Sequence, residues 1–106
     1  MLFRSLATLG AALAFARTAG SASEAELKAK LATNPADHEA RFALASLYAG
    51  STRYREALDE LLEIVHRARN WKDGEARKQI LAIFKLAQSQ PELVSDYRRK
   101  LASALN

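Results

Sequence analysis

The chain has 106 residues, 49% of them hydrophobic and 26% charged, which is enough apolar content for one small domain. It contains no cysteine, and that excludes disulfides, thiol catalysis and cysteine-ligated zinc among these residues. The net charge of +4 is uneven: residues 1–66 carry seven Lys/Arg against eight Asp/Glu, whereas residues 67–106 carry nine against four, a net +5.

The first segment, residues 1–22, is alanine-rich. Arg4, an apolar stretch from Leu6 to Ala16 and small residues through Ala22 have the layout of a secretory signal peptide, which would send the protein to the periplasm. Leu6, Leu9, Leu13 and Ala16 also recur at helical spacing, as in a helix of an earlier repeat, and this second reading is the preferred one. Leu2-Phe3-Arg4-Ser5 matches one frame of a common sequencing adapter; read as such a scar, it makes the chain the tail of a longer protein.

Residues 23–106 form the domain, and periodicity predicts helices throughout. Glu24–Leu31 is a short amphipathic helix with Leu27 and Leu31 four apart, ended by Thr33-Asn34-Pro35. Asn34 then caps a second helix, with Pro35 at its first position, running to Ala49 with Ala40, Ala43, Leu44, Leu47 and Tyr48 inward. Gly50-Ser51-Thr52 is a tight turn with Thr52 as N-cap. The third helix, Arg53 to Ala68, has the strongest periodicity: Tyr54, Ala57, Leu58, Leu61, Leu62 and Val65 make a stripe wide enough for two neighbours. Asp59, Glu60 and Glu63 lie opposite it, with Arg55 relieving the Asp59–Glu63 repulsion.

Asn70–Gly74 is a loop in which Asp73 caps a fourth helix, Gly74 to Gln88, carrying Ala76, Ile80, Ile83, Phe84 and Ala87. Ser89-Gln90-Pro91-Glu92 has the capping-box pattern and opens a final helix with Leu93, Val94, Tyr97, Leu101 and Leu105 inward. In that helix Arg98-Arg99-Lys100 is a run of cations that would complement the C-terminal end of the macrodipole. No segment alternates with period two long enough to form a strand, and sparse glycine and proline agree with an all-α fold.

Paired helices joined by short turns are the signature of an α-solenoid, and the second and third helices carry the tetratricopeptide spacing. Leu44, Ala45 and Tyr48, then Tyr54, Ala57 and Leu61, fall at the expected offsets. Ala45 and Ala57 let two helix backbones approach closely while Tyr48 fills the groove between them. Arg41 stands where the repeat has Trp, Ala45 where it has Gly, and no proline lies near Arg69. The expected architecture is thus an antiparallel, tetratricopeptide-like helical-repeat fragment with a C-terminal capping helix.

Three longer strings add a finer resemblance: Tyr54 to Val65, Arg69 to Lys78 with its Trp71-x-Asp73-Gly74 run, and Tyr97-Arg98-Arg99 through Leu105. Together they resemble the C-terminal repeat domain of the thioredoxin-like co-chaperones called chaperedoxins, over about three quarters of the chain. Ala68 replaces the family's usual Asp. The resemblance implies a bacterial, cytoplasmic protein-binding domain that engages unfolding clients and the GroEL chaperonin. The thioredoxin half of such proteins has no counterpart in these residues, so no redox activity carries over.

Candidate contact residues are Trp71, Arg77, Tyr97, Arg98, Arg99, Leu101 and Leu105. Trp71 has a competing role as a cap over helix ends, Arg77 as a partner of Asp73 one turn earlier, and the Tyr97–Leu101–Leu105 stripe as inward packing. His38 and His66, 28 positions apart, are expected at the surface and hold no ligand spacing. No Asp, Glu, His or Ser grouping resembles a catalytic constellation, so neither an enzyme nor a metal or cofactor site is expected. The absence of a ~20-residue apolar run argues against a membrane partner. Two alternatives stand beside the co-chaperone reading: a stand-alone exported tetratricopeptide scaffold, and a weak nucleic-acid binder through the basic C-terminal half. The second is disfavoured because Trp71, Phe84 and Tyr97 do not interleave with the basic residues as a stacking platform requires.

Overall fold

The computed structural model describes residues 22–106. Within them the chain forms five α-helices: α1, Glu24–Thr33; α2, His38–Gly50; α3, Tyr54–Arg67; α4, Glu75–Leu86; and α5, Pro91–Leu105. No strand occurs among the described residues. None of these helices is long and apolar enough to cross a membrane. The proposed readings of residues 1–21 lie outside the described residues.

Helix α3 is the centre of the fold. Its stripe of Ala57, Leu58, Leu61, Leu62, Ile64 and Val65 is buried and packs on α2, α4 and α5, one neighbour more than its width had suggested. Ile64, one position off the recognised stripe, is fully buried as well. Ala45 and Ala57 are 1% and 0% exposed, as small residues at a close helix–helix approach would be, and α2 packs directly on α3. Tyr48 is buried too, as its place in the repeat requires. Phe42, outside the recognised core of α2, is buried as well.

The helix ends differ from expectation at four places. Helix α2 starts at His38, with the Asp37 carboxylate accepting from the Ala40 N–H; Asn34 instead accepts from the Ala36 N–H. That local turn engages the Asn34 side chain and moves Pro35 outside the helix. Thr52 does not cap α3. It has φ +61°, and its hydroxyl donates to the Ser51 carbonyl. Asp73 does not cap α4, because Lys72, Asp73 and Gly74 all have positive φ and Gly74 becomes the boundary residue. Only glycine adopts that conformation without strain, and a Cβ at Gly74 would meet nothing within 4 Å, so substitution there costs backbone strain alone.

The fourth difference is at α5, where the Ser89–Glu92 capping box is not made. Pro91 has its φ preset for the first helical position, which makes Gln90 the N-cap and shifts Ser89 and Glu92 out of register for the reciprocal bonds. A capping box does form at α1, where Ser23 Oγ accepts from the Glu26 N–H and Glu26 accepts from the Ser23 N–H.

Helix α1 is held to the repeat by charge as well as by buried Leu27. Glu24 accepts from Arg53 at 2.8 Å and from the Tyr48 hydroxyl at 3.3 Å, and lies 2.9 Å from Lys28. The Arg53 guanidinium, helped by Lys28, holds the Glu24 carboxyl at about 2, well below its ordinary 4.5. A carboxylate with a depressed folded value stabilises fully above its unfolded value and loses that contribution as pH falls through the folded one. Glu24→Gln is therefore expected to flatten the loss of α1 protection between pH 4.5 and about 2, measured by amide hydrogen exchange. Identical acid profiles for parent and variant would show that this cluster does not hold α1.

Candidate functional site

Helices α4 and α5 both rest on α3, and a groove of about 560 Å³ runs between them. Leu81, Phe84 and Lys85 form the α4 wall; Arg98, Leu101, Ala102 and Leu105 form the α5 wall. A second lobe continues past Phe84 and Arg98 to Pro91 and Val94. The Arg98 guanidinium stands over the Phe84 ring, 5.6 Å from its centroid, at the join of the two lobes. Leu81 is 42% exposed, one of two large hydrophobic side chains exposed among the described residues; Leu86, also on α4, is the other.

Both walls are anchored from behind. On α4, Ile80 and Ile83 are fully buried. On α5, the Tyr97 hydroxyl donates to Asp59 at 2.6 Å, and its ring lies between Arg55 and Lys100, 5.5 and 4.4 Å from the two cations. Burial, then the bond to Asp59, pushes the Tyr97 phenol up to about 12 from 10.0. The far end of α5 is fixed by Arg69, whose guanidinium donates to the Leu105 carbonyl at 2.6 Å. That bond supplies the cation at the helix C-terminus. The Arg98–Lys100 run does not supply it: these residues lie mid-helix, and the last turn of α5 contains no basic residue.

A group whose folded value is raised stabilises fully below its unfolded value and loses that contribution as pH rises through the folded one. Tyr97→Phe is expected to remove about 1 kcal/mol at neutral pH. It should also lessen the loss of thermal stability between pH 10.0 and about 12. Melting curves across that range test both, and an unchanged alkaline slope would assign the loss to other groups.

Of the candidate contact residues, the groove brings together Arg98, Leu101 and Leu105. Tyr97 is buried behind it and Leu101 is mostly so. Arg99 is exposed on α5, 3.4 Å from Asp96. Arg77 is exposed on α4 and makes no bond to Asp73; the positive φ at Asp73 takes that residue out of helical register, so the four-residue spacing no longer brings the pair together. Trp71 is half-buried against α2, with its ring 5.3 Å from Phe42 and 6.2 Å from His38. His38 is consequently half-buried beside an aromatic rather than at the surface, while His66 is exposed.

The acidic face of α3 is also committed. Asp59 bonds Tyr97, Glu60 pairs with Arg41 and Glu63 with Arg67. The sequence reading missed Leu81, Phe84 and Lys85 as one wall. The available signal was a leucine at 81, immediately after Ile80 and off the buried stripe of α4.

No group of three or more His, Asp or Glu residues placed to hold a metal occurs among the described residues. A family model described as tetratricopeptide repeat matches residues 17–106. No curated protein and no solved structure matches the chain.

Proposed function

The chain belongs to the tetratricopeptide repeat family, and on that premise we propose that it is the protein-interaction module of a chaperedoxin-type co-chaperone. Tetratricopeptide repeats mediate protein–protein interaction. In the proposed role the domain acts in the cytoplasm without catalysis, cofactor or redox chemistry of its own, holding unfolding clients and contacting the chaperonin.

The observation that carries the interaction reading is the apolar α4–α5 groove. It leaves Leu81 exposed, one of only two large hydrophobic side chains among the described residues that are, Leu86 being the other. The co-chaperone part rests on the three strings at residues 54–65, 69–78 and 97–105.

Light scattering of a thermally unfolding client protein, with and without the purified chain, tests client holding. Size-exclusion chromatography with purified chaperonin tests the second contact. Suppressed aggregation together with co-elution is the expected result. A chain that does neither is not a co-chaperone module.

A further inference from the structure

We propose that the α4–α5 groove docks an acidic amphipathic helix of a protein partner, whose apolar side chains seat against Leu81, Phe84 and Leu101 while its carboxylates meet Lys85 and Arg98. The inference rests on the interaction reading and adds the location and the partner's chemistry.

Charge selects the occupant. Lys85 and Arg98 are the charged residues lining the two lobes, and no carboxylate lines either one. Two acids lie on α5, Glu92 and Asp96; neither lines the groove, and Asp96 is already shared by Arg99 at 3.4 Å and Lys100 at 3.6 Å. The surrounding half of the chain carries the net +5, so an incoming acidic segment is attracted before contact and a basic one repelled.

The apolar lining argues against nucleic acid as the occupant. Leu81, Phe84, Leu101, Ala102 and Leu105 offer side-chain pockets and no row of donors for a phosphate backbone. A second copy of the chain seated groove to groove would bring Lys85 and Arg98 against their own counterparts, a like-charge contact that disfavours self-association.

The groove is also preorganised. Tyr97 fixes α5 to Asp59 on α3, Arg69 fixes its last turn, and buried Ile80 and Ile83 fix α4. A helix entering from outside therefore meets rigid walls, and little is lost to ordering them. Apolar anchors spaced three and four apart on such a helix would follow the two lobes past Arg98.

The test uses the whole chain and three fluorescent peptides read by anisotropy. One is a designed amphipathic helix with a leucine stripe and glutamates opposite, the second has lysine for each glutamate, and the third has serine for each leucine. Saturable binding of the glutamate peptide, at least about tenfold tighter than either other peptide, is expected. Arg98→Glu is expected to weaken it at least about fivefold and to improve the lysine peptide, and Leu81→Ser to weaken it comparably. Lys78→Glu, a charge change on α4 outside the groove lining, should have little effect.

Equal binding of the acidic and basic peptides, no saturable binding, or indifference to both groove variants would overturn the assignment. So would displacement of the peptide by a mixed oligonucleotide, or a concentration-dependent dimer in sedimentation that Leu81→Ser abolishes. Circular dichroism of each variant confirms that it is folded before its binding is read. A chain that suppresses client aggregation but ignores the glutamate peptide loses this groove assignment alone; one that does neither loses the interaction reading as well.

Discussion

Leu61→Ala is expected to remove about 3 kcal/mol of stability and to lower the melting temperature by roughly 15 °C. The size of the effect follows from the position. Leu61 is 1% exposed on α3, the helix on which α2, α4 and α5 all rest. Truncation removes apolar surface from the core and leaves a cavity that cannot close without shifting helices pinned elsewhere by Ala57 and Tyr97. Helices that share one central neighbour lose their support together, so the melt should remain a single transition at lower temperature. Leu81→Ala is the comparison: the residue is large and apolar but 42% exposed, and its loss should change stability by no more than about 0.5 kcal/mol. Equal melting temperatures for the two variants would mean that α3 is not the organising helix.

The helices were legible in the sequence because burial imposes a period, and the period is written in every residue of a stripe. All five buried positions assigned to α4 (Ala76, Ile80, Ile83, Phe84 and Ala87) are buried in the structure. The all-α class and the repeat spacing followed from the same signal. The helix ends were less legible because several residues compete for each cap. Asn34 and Asp37 both qualify for α2, and the choice falls to Asp37 once the Asn34 side chain is engaged by the Ala36 N–H. Ser89 and Glu92 match the capping pattern, but Pro91 sets the start of the helix one residue too late for it.

The candidate site was partly legible for a different reason. Arg98, Leu101 and Leu105 were recognisable on one helix, whereas the opposing wall from α4 is a tertiary juxtaposition. Long-range polar contacts were invisible for the same cause: Tyr97–Asp59 spans 38 positions and Arg69–Leu105 spans 36. Nothing local in the sequence relates such pairs. An exposed-looking acid on an amphipathic helix has the same signature whether it faces water or a tyrosine from another helix.

Arg41 shows how a departure from the repeat pattern can be accommodated, and it gives the second large expected effect. In the position where the repeat has a bulky aromatic, its side chain is only 13% exposed. It reaches Glu60 on α3 at 2.8 Å and donates to the Pro35 carbonyl at 3.0 Å, joining α2 both to its repeat partner and to the preceding turn. Glu60→Ala leaves that guanidinium largely buried without its counter-charge, and a loss of about 2 kcal/mol is expected, below the range for a fully buried pair because Glu60 keeps 24% of its surface in water. The pair itself is not required for the fold, since Arg41 Nε is buried without a partner and two desolvated charges offset much of their own attraction. Arg41→Leu combined with Glu60→Leu should therefore recover most of the stability lost in Glu60→Ala. Chemical denaturation of the parent, Arg41→Leu, Glu60→Leu and the double variant closes the cycle, with Glu60→Ala measured alongside. A double variant as unstable as Glu60→Ala would show that the ion pair, and not the filled volume, is what the repeat requires at this position.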